Sequence, residues 1–146
     1  MLTYLLFRWS RLTTGRQPTV KTAAHLMRRL IYENKDSLSA GVIVAGWDPV
    51  HGGSVYNIAL GGTCLEMPFA TGGSGSIFIA GLLDANFRKD MRMEDARQLA
   101  KKACAHAMCR DGSSGGCVRT VVISATGVER DYTPGNEVLF GPSAVF

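Results

Sequence analysis

Asp111, Ser113 and Ser114 crowd into one short segment, Met108-Cys109-Arg110-Asp111-Gly112-Ser113-Ser114-Gly115-Gly116. A carboxylate beside hydroxyls can accept their hydrogen bonds, orient an amine or a water, and so support acyl transfer. The glycines at 112, 115 and 116 let backbone N–H groups approach a partner closely. A second polar loop, Gly72-Gly73-Ser74-Gly75-Ser76, carries hydroxyls at the start of a predicted helix. Taken singly, the first loop reads as a helix C-cap followed by turn residues. Two such loops in a chain this small point to a site.

Two nucleophile or phosphate motifs are tested and rejected. Gly112-Ser113-Ser114-Gly115-Gly116 fits G-x-S-x-G, but a nucleophile elbow runs from strand to helix, and this segment runs from a predicted helix into a predicted strand. No histidine follows Ser114. Gly72 to Ser76 lacks the lysine that a phosphate-cradling loop needs in register.

The elements that must hold these loops follow from periodicity. Residues 2–12 have helical character. Pro18 suits the first turn of the next helix, whose stripe is Val20, Ala23, Ala24, Met27, Leu30 and Ile31. Lys21, His25, Arg28 and Arg29 lie on another side and read as a solvated face. Leu38 to Trp47 is a continuous apolar run, predicted as a strand buried on both faces. A turn through Asp48 and His51 returns it as a hairpin strand, Ser54 to Ile58. Short strands are predicted at Thr63–Met67 and at Phe69–Thr71, with Ser74 or Ser76 capping a helix that runs to Phe87. That helix is apolar on nearly every side, which implies burial against a neighbour. A further helix, started by Glu94 and Asp95, carries Ala96, Leu99, Ala100, Ala103, Cys104, Ala107 and Met108 at strict helical spacing. Strands at 117–124 and 128–132 close the pattern, and 135–146 reads as an irregular tail. Consecutive helices and consecutive strands predict layered α+β packing, not a doubly wound parallel sheet.

With 146 residues, the chain is expected to form a single domain spanning 1–146. A hydrophobic content of 46% with 19% charged residues excludes disorder, and a net charge of +4 without aromatic-rich basic clusters gives no reason to expect nucleic acid. No stretch reaches the roughly 18 apolar residues of a membrane span, and the start does not read as a secretory signal. Cys104, His106, Cys109 and Cys117 do not make a metal site. On a helix Cys104 and Cys109 point about 140° apart, and His106 about 200° from Cys104. No metal and no cofactor are expected. Unpaired cysteines fit the cytoplasm and nucleus.

Gly72-Gly73-Ser74-Gly75-Ser76, Arg110-Asp111-Gly112-Ser113-Ser114-Gly115-Gly116 and Ala45-Gly46-Trp47-Asp48, with Val128-Glu129-Arg130 and Gly135 to Phe140, resemble the beta subunits of the 20S proteasome. Among the types, the likeness is strongest to the caspase-like beta type 1. It implies an α+β fold, a four-layer αββα sandwich of the N-terminal nucleophile hydrolase type. The implied activity is a threonine-type endopeptidase cleaving after acidic residues. The implied role is that of a core-particle subunit in ATP- and ubiquitin-dependent protein degradation. The implied partners are the other beta and alpha subunits in stacked heptameric rings, with unfolded polypeptides as substrates. In that family a terminal threonine hydroxyl attacks and its own α-amine serves as base. Ser74, Asp111 and Ser114 match the positions that hold the amine and its water, and Gly72 and Gly73 lie beside the bound peptide.

The sequence departs from the family at its start. Members open with several strands before their first long helix, and Met1 already stands where that helix belongs. The resemblance therefore implies that the first strands, roughly fifty residues, are missing, and with them the nucleophile, a lysine and a strand aspartate. Thr13-Thr14-Gly15 and Gly62-Thr63 imitate a mature start and a processing junction, but each lies inside the fold and is rejected as a nucleophile. Arg92 stands where a capping Thr is usual. The chain as written is expected to hydrolyse no peptide bond by itself, and the alternative role is that of a non-catalytic structural ring subunit.

Overall fold

A computed structural model describes Gly15 and residues 18–138. The predicted helix at 2–12, Thr13, Thr14 and the tail beyond residue 138 lie outside the described residues. The described architecture is mixed α+β: helices α1 (Val20–Glu33), α2 (Ala80–Asn86) and α3 (Met93–Arg110), and strands β1 (Val42–Asp48), β2 (Gly52–Ile58), β3 (Cys64–Glu66), β4 (Val118–Ser124) and β5 (Gly127–Thr133). Two compact units emerge, one running up to Ala70 together with Ser124–Thr126, the other Thr71–Ile123 with the residues from Gly127 on.

In the first unit, Thr19 caps α1, its hydroxyl accepting from Thr22 N–H at 3.2 Å. Pro18 thus stands just before the cap, not inside the first turn. The predicted stripe forms: Val20, Ala23, Ala24 and Ile31 are buried, and Lys21, His25, Arg28 and Arg29 are exposed. β1 and β2 pair antiparallel from Val42↔Ile58 to Asp48↔Gly52, and β3 adds to the other edge of β2. Val20, Ala24 and Tyr56 form the core, with Val44 and Cys64 packed against it. The expectation of a strand buried on both faces is corrected. β1 starts only at Val42, and its burial alternates, leaving Ile43 41% exposed. Within this unit α1 packs on one face of the sheet, and Ile43 on β1 stays open.

Asp48 closes the unit. Its carboxylate, 2% exposed, accepts Val20 N–H at 3.0 Å on one oxygen, and Val50 N–H at 3.0 Å and His51 N–H at 2.9 Å on the other. The same group thereby stabilises the α1 N-terminus and the β1–β2 turn. These bonds, the one from Val20 first, hold its carboxyl below the usual aspartate range against the opposing effect of burial.

In the second unit, α3 is the central element. Ala105 packs with Val118 and Val138, Met108 lying against them. Lys101 pairs with Asp131 at 2.5 Å and Arg97 with Glu129 at 2.9 Å, which ties α3 to β5. The small-residue stripe is buried only in part: Ala103 is buried, whereas Ala96, Ala100 and Cys104 are exposed. The buried set includes Ala105, off the predicted stripe, because α3 is covered from more than one side. No strand forms at Phe69–Thr71. The single helix expected up to Phe87 is a 3-10 turn, Ser74–Phe78, followed by the short α2, and neither serine caps it: the Ser76 hydroxyl donates to Gly73 C=O at 2.8 Å. Ile77 is 76% exposed, so within the chain this segment is not covered all round. A 3-10 turn at Gly135–Glu137 gives the start of the expected tail local order.

Candidate functional site

The last turn of α3 sets the site. Asp111 is its C-cap, with the backbone N–H donating to Ala107 C=O at 2.8 Å while its own φ and ψ turn extended. That departure ends the helix at the site carboxylate. Gly112 and Ser113 make a tight turn, closed by Ser114 N–H donating to Asp111 C=O at 3.0 Å. The chain then enters β4. The segment runs helix to strand, the opposite of a nucleophile elbow.

The other polar loop arrives from the 3-10 turn. Its N-cap Gly73 has φ 87°, a left-handed conformation that glycine adopts without strain. Ser74 Oγ then donates to Asp111 Oδ2 at 2.6 Å, across 37 residues of sequence. Ser114 Oγ donates to the same oxygen at 2.5 Å, and Ser113 N–H donates to Asp111 Oδ1 at 3.1 Å. The three residues Ser74, Asp111 and Ser114 therefore form one hydrogen-bonded cluster in the second unit. Gly72 and Gly73 are exposed beside it.

The electrostatics follow from these donors. The Ser114 hydroxyl first, then the Ser74 hydroxyl and the Ser113 N–H, favour the charged carboxylate and hold Asp111 below its usual range, with burial opposing. Asp111 is thus an anion at neutral pH. It can orient a cationic or polar donor, and it is too weak a base to activate either serine, since an efficient base has a pKa near the working pH. Among the described residues no group of three or more His, Cys, Asp or Glu side chains is placed to hold a metal ion. Cys104 and Cys109 are exposed, Cys64 and Cys117 half-buried, and all four are free thiols.

Two contributions escape a reading of motifs. Ser113 acts through its backbone, not its hydroxyl. Gly75, passed over between two serines, is buried at the point where the loops meet. A Cβ placed there would lie 2.9 Å from the Ala107 Cβ and 3.1 Å from Ser114 Oγ. The only sequence signal for it is a glycine directly after a site serine.

Comparison with known proteins now bears on this arrangement. The family described as "Proteasome subunit" matches residues 6–123. The chain is 49% identical to "Proteasome subunit beta type-6" of Arabidopsis thaliana over 85% of its own length and 53% of that protein. It is 51% identical to the beta type-6 subunit of Dictyostelium discoideum over 84% of its length and 57% of the relative. It is 50% identical to "Probable proteasome subunit beta type-1" of Schizosaccharomyces pombe, over 90% of the chain and 58% of the relative. The chain thus spans little more than half the length of the relatives it matches. On a family match that covers most of the sequence, and relatives about half identical to it, the chain belongs to the proteasome subunit family, alongside its beta-type members.

Proposed function

We propose that this chain serves as a beta subunit of the 20S proteasome core particle, acting in ATP- and ubiquitin-dependent protein degradation in the cytoplasm and nucleus. In this reading Ser74, Asp111 and Ser114 are the supporting residues of a threonine-type endopeptidase site that cleaves after acidic residues. The observation that carries it is the convergence of Ser74 and Ser114 on one carboxylate oxygen of Asp111. Such a cluster fixes an anion and leaves Oδ1, which accepts from the Ser113 N–H, a lone pair to orient an amine or a water. The nucleophile is not within the cluster: both serine protons point at an ionised, weakly basic carboxylate. Gly72 and Gly73 border the peptide that would lie beside Ser74.

The finer fold proposed is the four-layer αββα sandwich of the N-terminal nucleophile hydrolases, with the described units as parts of one domain. It is supported by the apolar side chains each unit leaves open: Ile43 and Leu65 in the first, Val121, Ile123, Val128 and Tyr132 in the second. Partners are the other beta and alpha subunits of stacked heptameric rings, and the exposed Ile77 and Phe78 suit burial against a neighbouring subunit. Substrates are unfolded polypeptides.

The experiment expresses a tagged version of the chain with the family's first strands and matured terminal threonine restored, isolates particles containing it, and assays a fluorogenic peptide ending in an acidic residue. Asp111→Asn should slow hydrolysis about tenfold or more, within the range of general acid–base contributions, and Cys109→Ala should leave it unchanged. Recovery of the chain only as a free, compact monomer would sink the assembly reading. Assembly with hydrolysis indifferent to Asp111→Asn would move the chain to the role of a structural ring subunit.

A further inference from the structure

We propose that Gly75 is a positioning residue for the Ser74–Asp111–Ser114 cluster, acting through its bare-backbone contact with the Ala107 methyl. The inference rests on the reading above, in which the cluster supports acyl transfer.

The geometry is specific. Ala107 accepts the hydrogen bond from the Asp111 N–H at 2.8 Å, so it lies one turn before the carboxylate on α3. Its side chain is a single methyl with no rotamer to change. Gly75 is buried against it, and a Cβ on Gly75 would fall 2.9 Å from that methyl, 3.1 Å from Ser114 Oγ and 3.4 Å from Asp111 Oδ2. The first distance is inside van der Waals contact, and neither partner can rotate away. Because Ser74 is bonded to Gly75, the closeness of that backbone to α3 sets how near the Ser74 hydroxyl comes to Asp111, now 2.6 Å. A side chain at 75 must therefore lift the Ser74 loop off α3, displace the Ser114 hydroxyl, or both. Either movement weakens a hydroxyl bond to Oδ2. Gly75 and Ala107 thus act as a size-matched pair: the smallest residue type in the loop meets the smallest in α3.

A purely structural glycine would predict lost stability alone. The positioning role predicts a change at Asp111 that a compensating partner reverses. The test compares the wild-type chain with Gly75→Ala, Ala107→Gly and the double variant. It reads thermal unfolding together with the carbon-13 pH titration of the Asp111 carboxyl. Gly75→Ala should raise the Asp111 midpoint toward the ordinary aspartate range. The double variant, relieved of the 2.9 Å contact but not of the 3.1 Å one, should recover part of the depression. A folded Gly75→Ala chain with the Asp111 midpoint unmoved overturns the proposal. Should Gly75→Ala fail to fold, the double variant decides. A folded double variant with a depressed Asp111 supports the pairing, and an unfolded one, or one titrating like ordinary aspartate, overturns it. In assembled particles whose copy of the chain has the first strands and terminal threonine restored, Gly75→Ala should lower kcat about tenfold with KM within about twofold, the signature of a group that acts in the transition state and not in binding. The functional reading fails separately, when Asp111→Asn leaves hydrolysis in those particles untouched while Gly75→Ala still shifts the Asp111 titration.

Discussion

Asp48 in the first unit and Asp111 in the second are both carboxylates held charged by several hydrogen bonds, and the kind of donor separates them. Asp48 is satisfied by backbone N–H groups of Val20, Val50 and His51. Those donors cannot rotate away, and the carboxylate is buried at 2% exposure. Asp111 is satisfied by the hydroxyls of Ser74 and Ser114, with one N–H from Ser113. Hydroxyls rotate about a single bond, and Asp111 stays half-buried on a loop. An aspartate bonded to fixed donors is a structural staple. One bonded to rotatable donors at a surface can exchange a partner for a ligand group.

The largest difference should appear on neutralising each carboxylate. Asp48→Asn replaces one acceptor oxygen by a donor NH2 facing N–H groups, at a buried position that joins α1 to the β1–β2 turn. Its melting temperature should fall by on the order of 10 °C. Asp111→Asn should melt within a few degrees of wild type and show its effect instead in peptide hydrolysis by particles whose copy of the chain has the first strands restored. Calorimetry of the two variants side by side checks this. Equal losses of stability would erase the distinction.

That distinction was only partly legible in the sequence. The α1 stripe, the hairpin and the two serine loops could be read, because each depends on local spacing. Asp48 reads as a turn residue before Pro49, and the local half of its role follows from that. Its bond to Val20 N–H, 28 residues away, depends on how α1 lies on the sheet, which no local pattern carries. The same limit explains the two misread strands. Ile43 lies in an apolar run yet is exposed, and Phe69–Thr71 has strand-forming residues but is not strand. Around Asp111 the motif likeness supplied what spacing could not, namely that Ser74 belongs with Ser114. It did not show that Gly75 makes their meeting possible.

A smaller effect is expected in acid. Both aspartates have folded-state pKa values below their unfolded ones, Asp48 chiefly through the Val20 N–H and Asp111 chiefly through the Ser114 hydroxyl. Asp131 behaves likewise through Lys101. The stabilisation from such groups is complete above the ordinary aspartate pKa of about 3.9 and is lost as pH falls through the depressed folded values. Unfolding free energy should therefore decline below about pH 4, and the decline should be shallower in Asp48→Asn and in Asp111→Asn. A stability curve flat between neutrality and pH 3 in the wild-type chain would contradict the assigned directions.

The smallest effects sharpen the argument most, because they separate side chain from backbone at the same two aspartates. His51 and Ser113 each donate to an aspartate through the main chain, at 2.9 Å and 3.1 Å. Truncation to alanine keeps both N–H groups. His51→Ala removes only the imidazole contact to Asp48 at 3.3 Å, from a half-exposed ring, so screening by solvent leaves it little to lose. Ser113→Ala removes a hydroxyl for which no bond to Asp111 exists among the described contacts. Both variants should melt within about 2 °C of wild type, and Ser113→Ala should leave the Asp111 titration in place. Ser114→Ala, one residue further on, removes the donor at 2.5 Å and should raise that titration, by more than Ser74→Ala does, since the Ser114 bond contributes more to the depression. If Ser113→Ala moved the Asp111 titration as far as Ser114→Ala does, the hydroxyls would not be what sets the cluster apart from the Asp48 staple. The contrast between fixed and rotatable donors would then lose its basis.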